Sequence, residues 1–335
     1  MKNKLTAVFT LLIIVVSFSK SYGWGEWGHM HINKAAVFAL PTDMRVFFYN
    51  HIDYMVEESV APDLRKYTLW DKAEFARHYI DIEDYDVPIN VLPRTMAAAK
   101  TKYSDSMLNK SGMLPWYIQV MMEKLTSAMK AGRKTEILFL SADLGHYIAD
   151  AHMPLHTSSN HDGQLTDQRG IHAFWESQLP ELFGDSYNFY TGDAKYIDDI
   201  TKETWNIIAH TYSLADTLLA TDRVLKKEFA ADKIYMMAAN GDTIKNKFKQ
   251  PVHTMAYAKA YHDRLDGMVQ KQMRLAITEL TDFWYTAWVN AGKPNLDKLD
   301  DEQTTARNKK YLAEDIKQWQ AGKLTELTPG SEFPR

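Results

Sequence analysis

The chain has no cysteine among its 335 residues. An exported protein of this composition would have no disulfide framework, and any metal site must use His, Asp, Glu and backbone groups. Twelve histidines are available for such a site. The sequence also has no Gly-x-Ser-x-Gly motif and no Gly-x-x-x-x-Gly-Lys-Ser/Thr loop. A serine hydrolase and a phosphate-binding-loop protein are therefore set aside.

Long hydrophobic runs are also missing, with one short exception near the start. Residues 5–18 are almost wholly apolar, but this run is shorter than the roughly 20 residues of a membrane-spanning helix. Lys2 and Lys4 precede it, and the small residues Ser21 and Gly23 follow it, as in a secretory signal peptide. We predict cleavage between Gly23 and Trp24, a secreted or periplasmic location and no transmembrane helix in the mature chain. A membrane anchor is the alternative.

The chain has no excess of basic residues. The first 23 residues hold three lysines and no acid, so the remaining 36 Lys and Arg face 43 Asp and Glu, a formal charge of −7. This balance excludes a basic nucleic-acid scaffold and disfavours a broad groove that tracks phosphates. A cluster of metal ions could still supply a local positive field.

Alternating β-branched runs are few, and apolar residues recur at steps of three and four, which indicates helices throughout. We predict an all-α fold with one large catalytic domain over 24–296, after a signal peptide over 1–23 and before a charged helix and tail over 297–335. The predicted helices cover approximately 30–40, 43–57, 71–78, 94–109, 115–131, 134–152, 170–182, 194–218, 221–230, 251–291 and 302–321.

The densest chemical segment runs from residue 143 to residue 156. His146 and Asp150 are four residues apart and would project from one face of a helix. Pro154 would end that helix and let His156 approach from its C-terminal side. His172 and Glu176 repeat the four-residue spacing. Zinc accepts imidazole and carboxylate ligands, so one or more zinc sites are plausible here.

Further candidate ligands lie upstream, at Asp63 and His78. Each alone is weak evidence, because a buried histidine or a surface acid is common. Trp24 adds an unusual possibility if the predicted cleavage makes it the mature N-terminus. Its free amine and its own carbonyl oxygen could chelate a metal, and His29 lies close by in sequence to add an imidazole.

From Trp24 to Glu176, the order and spacing of these residues resemble the superfamily that joins bacterial zinc-dependent phospholipase C to the single-strand-specific zinc nucleases of fungi and plants. The resemblance implies an all-α fold and three zinc ions. By this resemblance the first zinc would bind Asp63, His78, His146 and Asp150. The second would bind Trp24, His29 and a shared Asp150, and the third would bind His156, His172 and Glu176.

The sequence has features of both branches of that superfamily. The spacing from Trp24 to His29 is similar to the nuclease branch, whereas Glu176 as the final ligand is closer to the phospholipase branch. The resemblance implies a zinc-dependent phosphodiesterase with Asp63 as a catalytic group. Single-stranded nucleic acid or nucleotides are the favoured substrates, with phospholipid head groups as the alternative. A non-catalytic, zinc-stabilised binding protein is the third possibility. No obligate protein partner is evident.

Five further residues could act beside the metals. Arg65 or Lys66 could contact phosphate, with Lys66 at the position of the family's arginine. Tyr79 could stack on a base or simply pack. Asp81 resembles an acid beside the site in the nuclease branch. Asp143 shares the helix face of His146 and could accept an imidazole N–H, or it could be an exposed acid.

Overall fold

A computed structural model describes residues 24–68, 72–246, 249–300 and 304–327. The predicted signal peptide lies outside these residues. The described residues form helices and no sheet, which confirms the all-α fold. The helices are α1 Glu26–Ala39, α2 Thr42–Asn50, α3 Ile52–Glu58, α4 Ala61–Thr68, α5 Lys72–Arg77, α6 Met96–Lys102, α7 Asp105–Ser111, α8 Leu114–Ala131, α9 Lys134–Ala151, α10 Ile171–Ala173, α11 Leu179–Phe183, α12 Ile200–Lys226, α13 Ala231–Ile234, α14 Met255–Arg264, α15 Met268–Asn290 and α16 Ala306–Gln320.

Helix α9 lies at the centre of the molecule, packed against α1, α3, α8 and α15. Its residues from Ala142 to Ala151 are all buried, as expected of a helix with neighbours on every side. Trp284 of α15 donates its indole N–H to the Ser141 carbonyl at 3.1 Å. Helix α15 therefore fixes the position of the helix that carries His146 and Asp150.

Several predicted boundaries were wrong. The helix predicted over 251–291 is two helices, because Asp266 and Gly267 both adopt positive φ angles, 50° and 73°, and interrupt the helical path. The longest described helix is instead α12, with 27 residues. Ser104 caps α7, so the helix predicted over 94–109 is also divided. Helix α4 was not predicted.

The C-terminal helix packs on the rest of the molecule. The Asn308 side-chain amide donates to Asp53 at 3.1 Å, and the Trp319 ring stacks with Phe38, with centroids 6.4 Å apart. Separation of residues 297–335 from the main domain stays a prediction. Among the described helices, none is both long and apolar enough to cross a membrane.

Candidate metal centre

The predicted spacing on α9 places His146 and Asp150 side by side in the core, both with no solvent exposure. Helix α9 ends at Ala151, and a single 3-10 turn, Pro154–Thr157, follows it and presents His156. The proline fixes this turn, as the sequence predicts. Asp150 and His156 consequently come together, with the Asp150 Oδ1 atom 3.3 Å from His156 Nδ1.

The first group of possible ligands joins α4, the end of α5 and α9. His78 Nδ1 lies 2.9 Å from His146 Nε2 and 2.9 Å from Asp150 Oδ2. Asp63 Oδ1 lies 3.6 Å from the same His78 nitrogen and 3.7 Å from His146 Nε2. Asp63, His78 and His146 form a group that could hold a metal ion. The four predicted residues therefore face one common point.

The second group uses the other oxygen of Asp150. His29 Nε2 lies 3.6 Å from Asp150 Oδ1, and the His29 ring stacks on His146 with centroids 3.8 Å apart. His29, His146 and Asp150 could together hold a metal ion. Because its two oxygens face different histidines, Asp150 has the orientation of a bridging carboxylate.

Trp24 is fixed beside this second group. Its indole N–H donates to the carbonyl of Ala149, next to Asp150, at 2.6 Å. The N–H of Gly25 donates to the carbonyl of Glu176 at 3.1 Å. These two bonds hold the Trp24 backbone between the elements that carry Asp150 and Glu176. The chelating role of its amine stays a prediction.

The third group consists of His156, His172 and Glu176, which could also hold a metal ion. His172 Nε2 lies 3.2 Å from His156 Nε2 and 3.0 Å from Glu176 Oε2. Glu176 lies in a π-helical segment, Phe174–Gln178, that continues α10. Such segments are frequent at functional sites, and this one aims the carboxylate at both imidazoles.

Several observations indicate that the side chains of the three groups are suited to bind zinc. Two zinc ligands at tetrahedral angles are about 3.3 Å apart, close to the separations in all three groups. His146 donates its Nδ1 proton to the Ser59 carbonyl at 2.8 Å, and His172 donates its Nδ1 proton to the His161 carbonyl at 2.7 Å. The Nε2 lone pairs of both rings therefore face their groups. Neither ring nitrogen of buried His29 has a hydrogen-bond partner among the described residues.

The histidines around Asp150 differ in their pKa shifts. Burial is the main cause of the lowered pKa of His78, whereas at His146 burial is outweighed by the nearby Asp150 and Asp63, which raise the pKa. Burial, followed by the nearby His146, lowers the pKa of His29 well below its usual value. Burial opposes ionisation of Asp150, but His146 and His156 outweigh it and hold the pKa of that carboxyl well below its usual range. In the third group, burial lowers the pKa of His172 and Glu176 raises it, with a net value of about 9. This group therefore favours a positive charge at its centre.

Sequence reasoning missed Glu74, which orients His78. The Glu74 carboxylate accepts a hydrogen bond from the Tyr147 hydroxyl at 2.6 Å and lies 3.6 Å from His78 Nε2. Burial opposes ionisation, yet the bonds from His78 and Tyr147 lower the pKa of Glu74 to about 2. The only local signal was its position four residues before His78, a spacing that many helical surface pairs share.

Arg65 and Asp143 form a buried ion pair with each other. Arg65 Nη2 donates to Asp143 Oδ2 at 2.6 Å, and its Nη1 donates to Glu58 at 3.4 Å. Asp143 is 3% exposed, so the expectation of an exposed acid was wrong. The expected imidazole bond was also wrong, because the His146 N–H is directed to Ser59. Arg65 is thus engaged with two carboxylates, which argues against its predicted role at phosphate.

Lys66 is directed at the first group. Its Nζ lies 2.6 Å from Asp63 Oδ1, and its charge contributes, after burial, to the lowered pKa of His78. Of the two cations considered for phosphate contact, Lys66 therefore lies beside the candidate ligands.

Tyr79 and Asp81 follow His78 directly in the chain. The Tyr79 hydroxyl donates to the Lys110 carbonyl at 2.9 Å, at an exposed position. Asp81 is 9% exposed. Burial, then Asp84 and Glu83, raise the pKa of Asp81 to about 7. Asp81 can therefore act as a hydrogen-bond donor near neutral pH, and a role for either residue in substrate binding stays a prediction.

Comparison with known proteins adds independent evidence. The sequence model of one protein family, S1/P1 Nuclease, matches residues 24–281. This match covers more than half of the chain and includes every residue of the three groups. A comparison with curated proteins gives no match.

Proposed function

Because the chain belongs to the S1/P1 nuclease family, we propose that it is a secreted zinc phosphodiesterase that cleaves single-stranded nucleic acid or nucleotides. The observation that carries this proposal is the convergence of the three groups on Asp150 and His156. Asp150 faces the first group with one oxygen and the second with the other. His156 faces Asp150 with Nδ1 and the third group with Nε2.

We assign three zinc ions to nine residues. Asp63, His78, His146 and Asp150 would hold the first ion, and His156, His172 and Glu176 the third. Trp24 and His29 would share Asp150 to hold the second. Bound zinc lowers the pKa of water and polarises phosphoryl oxygens, which is the chemistry that phosphodiester hydrolysis needs.

The protein's own side chains would position the substrate and the attacking water. Asp63 presents a carboxylate at the first group and could orient the water or accept its proton. The Lys66 ammonium, beside Asp63, could bind a phosphate oxygen. The Glu74 carboxylate lies 3.6 Å from the outer nitrogen of His78 and would attract its proton, which would leave the inner nitrogen directed at the group. The products would be a phosphate monoester and a free hydroxyl.

Export would complete the second zinc site. The amine of Trp24 becomes available only if the peptide bond to Gly23 is cut, and Trp24 is already held next to Asp150 by its indole. We expect mass spectrometry of the exported protein to find Trp24 as the first residue. A mature chain that begins elsewhere would contradict the chelate and leave the eight other ligands unaffected.

Phospholipase C activity is the second candidate, favoured by one feature of the third group. Its carboxylate is a glutamate, Glu176, which is closer to the phospholipase branch of the resemblance. A zinc-stabilised binding protein is less well supported, because structural zinc sites fill every position with protein ligands. Here the third group supplies only three described side chains.

A direct assay separates these candidates. Purified protein loaded with zinc is incubated in parallel with single-stranded DNA, single-stranded RNA and phosphatidylcholine, and the products are quantified. We expect cleavage of the nucleic acids and none of the lipid. Cleavage of the lipid alone would establish the phospholipase candidate, and no turnover of any substrate would support the binding protein.

A matched pair of variants links the activity to the candidate centre. His146→Ala removes a buried histidine that two of the groups share and should abolish turnover. His210→Ala removes an exposed histidine of α12 and should leave turnover unchanged. Equal activity in the two variants would reject the assignment.

A further inference from the structure

Residues 234–246 and 249–254 are joined by backbone hydrogen bonds that the helical pattern did not predict, and we call them the bridged segment. Three backbone hydrogen bonds join stretches of its chain in a closed triangle. The N–H of Met236 donates to the Val252 carbonyl at 2.8 Å, that of Ile244 to the Met236 carbonyl at 2.8 Å, and that of Val252 to the Ile244 carbonyl at 3.0 Å. Three isolated bridges flank this triangle. The segment is thus a braced platform, described except for residues 247 and 248.

The bridged segment packs directly on the elements that carry the third group. The His253 ring stacks on Phe174, with centroids 3.7 Å apart. The Gln178 side-chain amide donates to the His253 carbonyl at 2.9 Å. Phe174 and Gln178 are the two ends of the π-helical segment that holds Glu176. The platform and the Glu176 carboxylate are therefore fixed relative to each other.

The third group is partly open to solvent at His172. The His172 side chain is 20% exposed, compared with 0% for His146 and Asp150. Gly170, two residues before His172, lies beside the bridged segment, where an added Cβ would be in ordinary contact with Gln250 and Pro251 at 3.5 Å. The bridged segment therefore lies beside the elements that carry His172 and Glu176.

The charge of this region is opposite to that of the whole protein. Residues 223–255 contain seven Lys and Arg and three Asp and Glu, a net charge of +4, in a chain whose net charge is −4. Lys245 and Lys249 are both exposed, and the Lys249 N–H donates to the Asn246 carbonyl at 2.9 Å. Lys233, at the base of the segment, is also exposed and lies 3.5 Å from Asp232.

We propose that Lys233, Lys245 and Lys249 form a docking surface for the phosphates of single-stranded nucleic acid, beside the third group. The inference rests on the proposed nuclease function and adds a substrate path to it. Charge complementarity indicates the ligand. A longer strand would place several phosphates along the three lysines, whereas a dinucleotide would contact the candidate centre alone. Met236 and Met237, which are 43% and 44% exposed, provide apolar contacts for unstacked bases.

The test compares a long and a short substrate in the zinc-loaded enzyme. The variant K233Q/K245Q/K249Q removes the three charges, and K309Q/K310Q/K317Q removes three exposed lysines of α16 as a matched control. The long substrate is an oligothymidylate of about twenty nucleotides, longer than common single-strand footprints. The short substrate is bis(p-nitrophenyl) phosphate. We measure kcat/KM for both substrates over a range of salt concentrations.

We expect the test variant to lose about tenfold in kcat/KM on the oligonucleotide at low salt, with a salt dependence shallower by about two logarithmic units per decade. Its activity on the short diester and all activities of the control should match wild type. Equal salt slopes in the test and control variants would overturn the docking surface while leaving the nuclease intact. A wild-type enzyme that cleaves only the short diester would overturn both the surface and the nucleic-acid substrate.

A second measurement tests whether the three lysines bind an anionic membrane instead of nucleic acid. Sedimentation with phosphatidylserine vesicles is measured for the same three proteins. We expect no difference between the test variant and the control. Loss of vesicle binding in the test variant, together with unchanged oligonucleotide cleavage, would replace the proposal with a membrane contact.

Discussion

Gly145 determines how closely α1 approaches α9, and its replacement by alanine provides a sensitive test of the packing behind the candidate centre. An added Cβ would lie 2.3 Å from Asn33 Oδ1 and 2.8 Å from Asn33 Cγ. Asn33 is fully buried and donates its side-chain amide to the His29 carbonyl at 3.2 Å. The clash would therefore displace Asn33, whose side chain is hydrogen-bonded to the backbone of His29.

Three effects determine the size of the change. Alanine in a helix interior is favoured over glycine by about 1 kcal/mol. Overpacking of a buried contact costs about 1–3 kcal/mol, and loss of the Asn33 hydrogen bond costs about 1 kcal/mol. The clash outweighs the helical preference, so Gly145→Ala should lower the free energy of unfolding by about 1–3 kcal/mol.

Thermal unfolding monitored by circular dichroism measures this change. We expect the melting temperature to fall by about 2–5 °C in a protein of this size. Asn33→Ala in the Gly145→Ala background removes the clashing side chain, so the two substitutions should be strongly non-additive. A rise in the melting temperature of Gly145→Ala alone would show that helical preference dominates and would refute the close approach.

Three further predictions concern charges. Asp150→Asn removes the carboxylate that the first two groups share, so the zinc content measured by mass spectrometry should fall from three to one; retention of three ions would contradict its bridging role. Burial, then Glu203 and Asp282, raise the pKa of Glu279 from 4.5 to about 8, so the folded state loses stability as pH rises through this window. The free energy of unfolding of Glu279→Gln should equal that of wild type below pH 4.5 and exceed it by about 1 kcal/mol above pH 8, after allowance for partial exposure. Glu123→Gln, at an exposed site, should show no such gain. Equal melting temperatures of Glu279→Gln and wild type at high pH would refute this. Arg65→Met leaves the buried Asp143 carboxylate without its cation and should cost about 3 kcal/mol in urea unfolding near neutral pH, and a loss below about 1 kcal/mol would show that the pair contributes little.

The sequence was most informative where chemistry depends on local spacing. His146 and Asp150 are one helical turn apart, and Pro154 ends the helix before His156, so their proximity follows from helix geometry alone. The same holds for His172 and Glu176. These residues needed no knowledge of the tertiary fold beyond the identity of the helix that carries them.

Contacts between distant parts of the chain could not be predicted in this way. Arg65 and Asp143 are 78 residues apart, and only the packing of α4 against α9 brings them together. The break at Asp266 and Gly267 was also missed, although Asp-Gly is a common turn pair and both residues adopt positive φ. The bridged segment consists of isolated pairs that no alternating pattern marks.

The zinc content of the mature protein tests the central claim most directly. A chain that begins at Trp24 is loaded with zinc, dialysed to remove loosely bound metal and weighed intact by native mass spectrometry. The nine assigned residues predict three zinc ions per chain. A protein that retains one ion or none would contradict the three-metal centre.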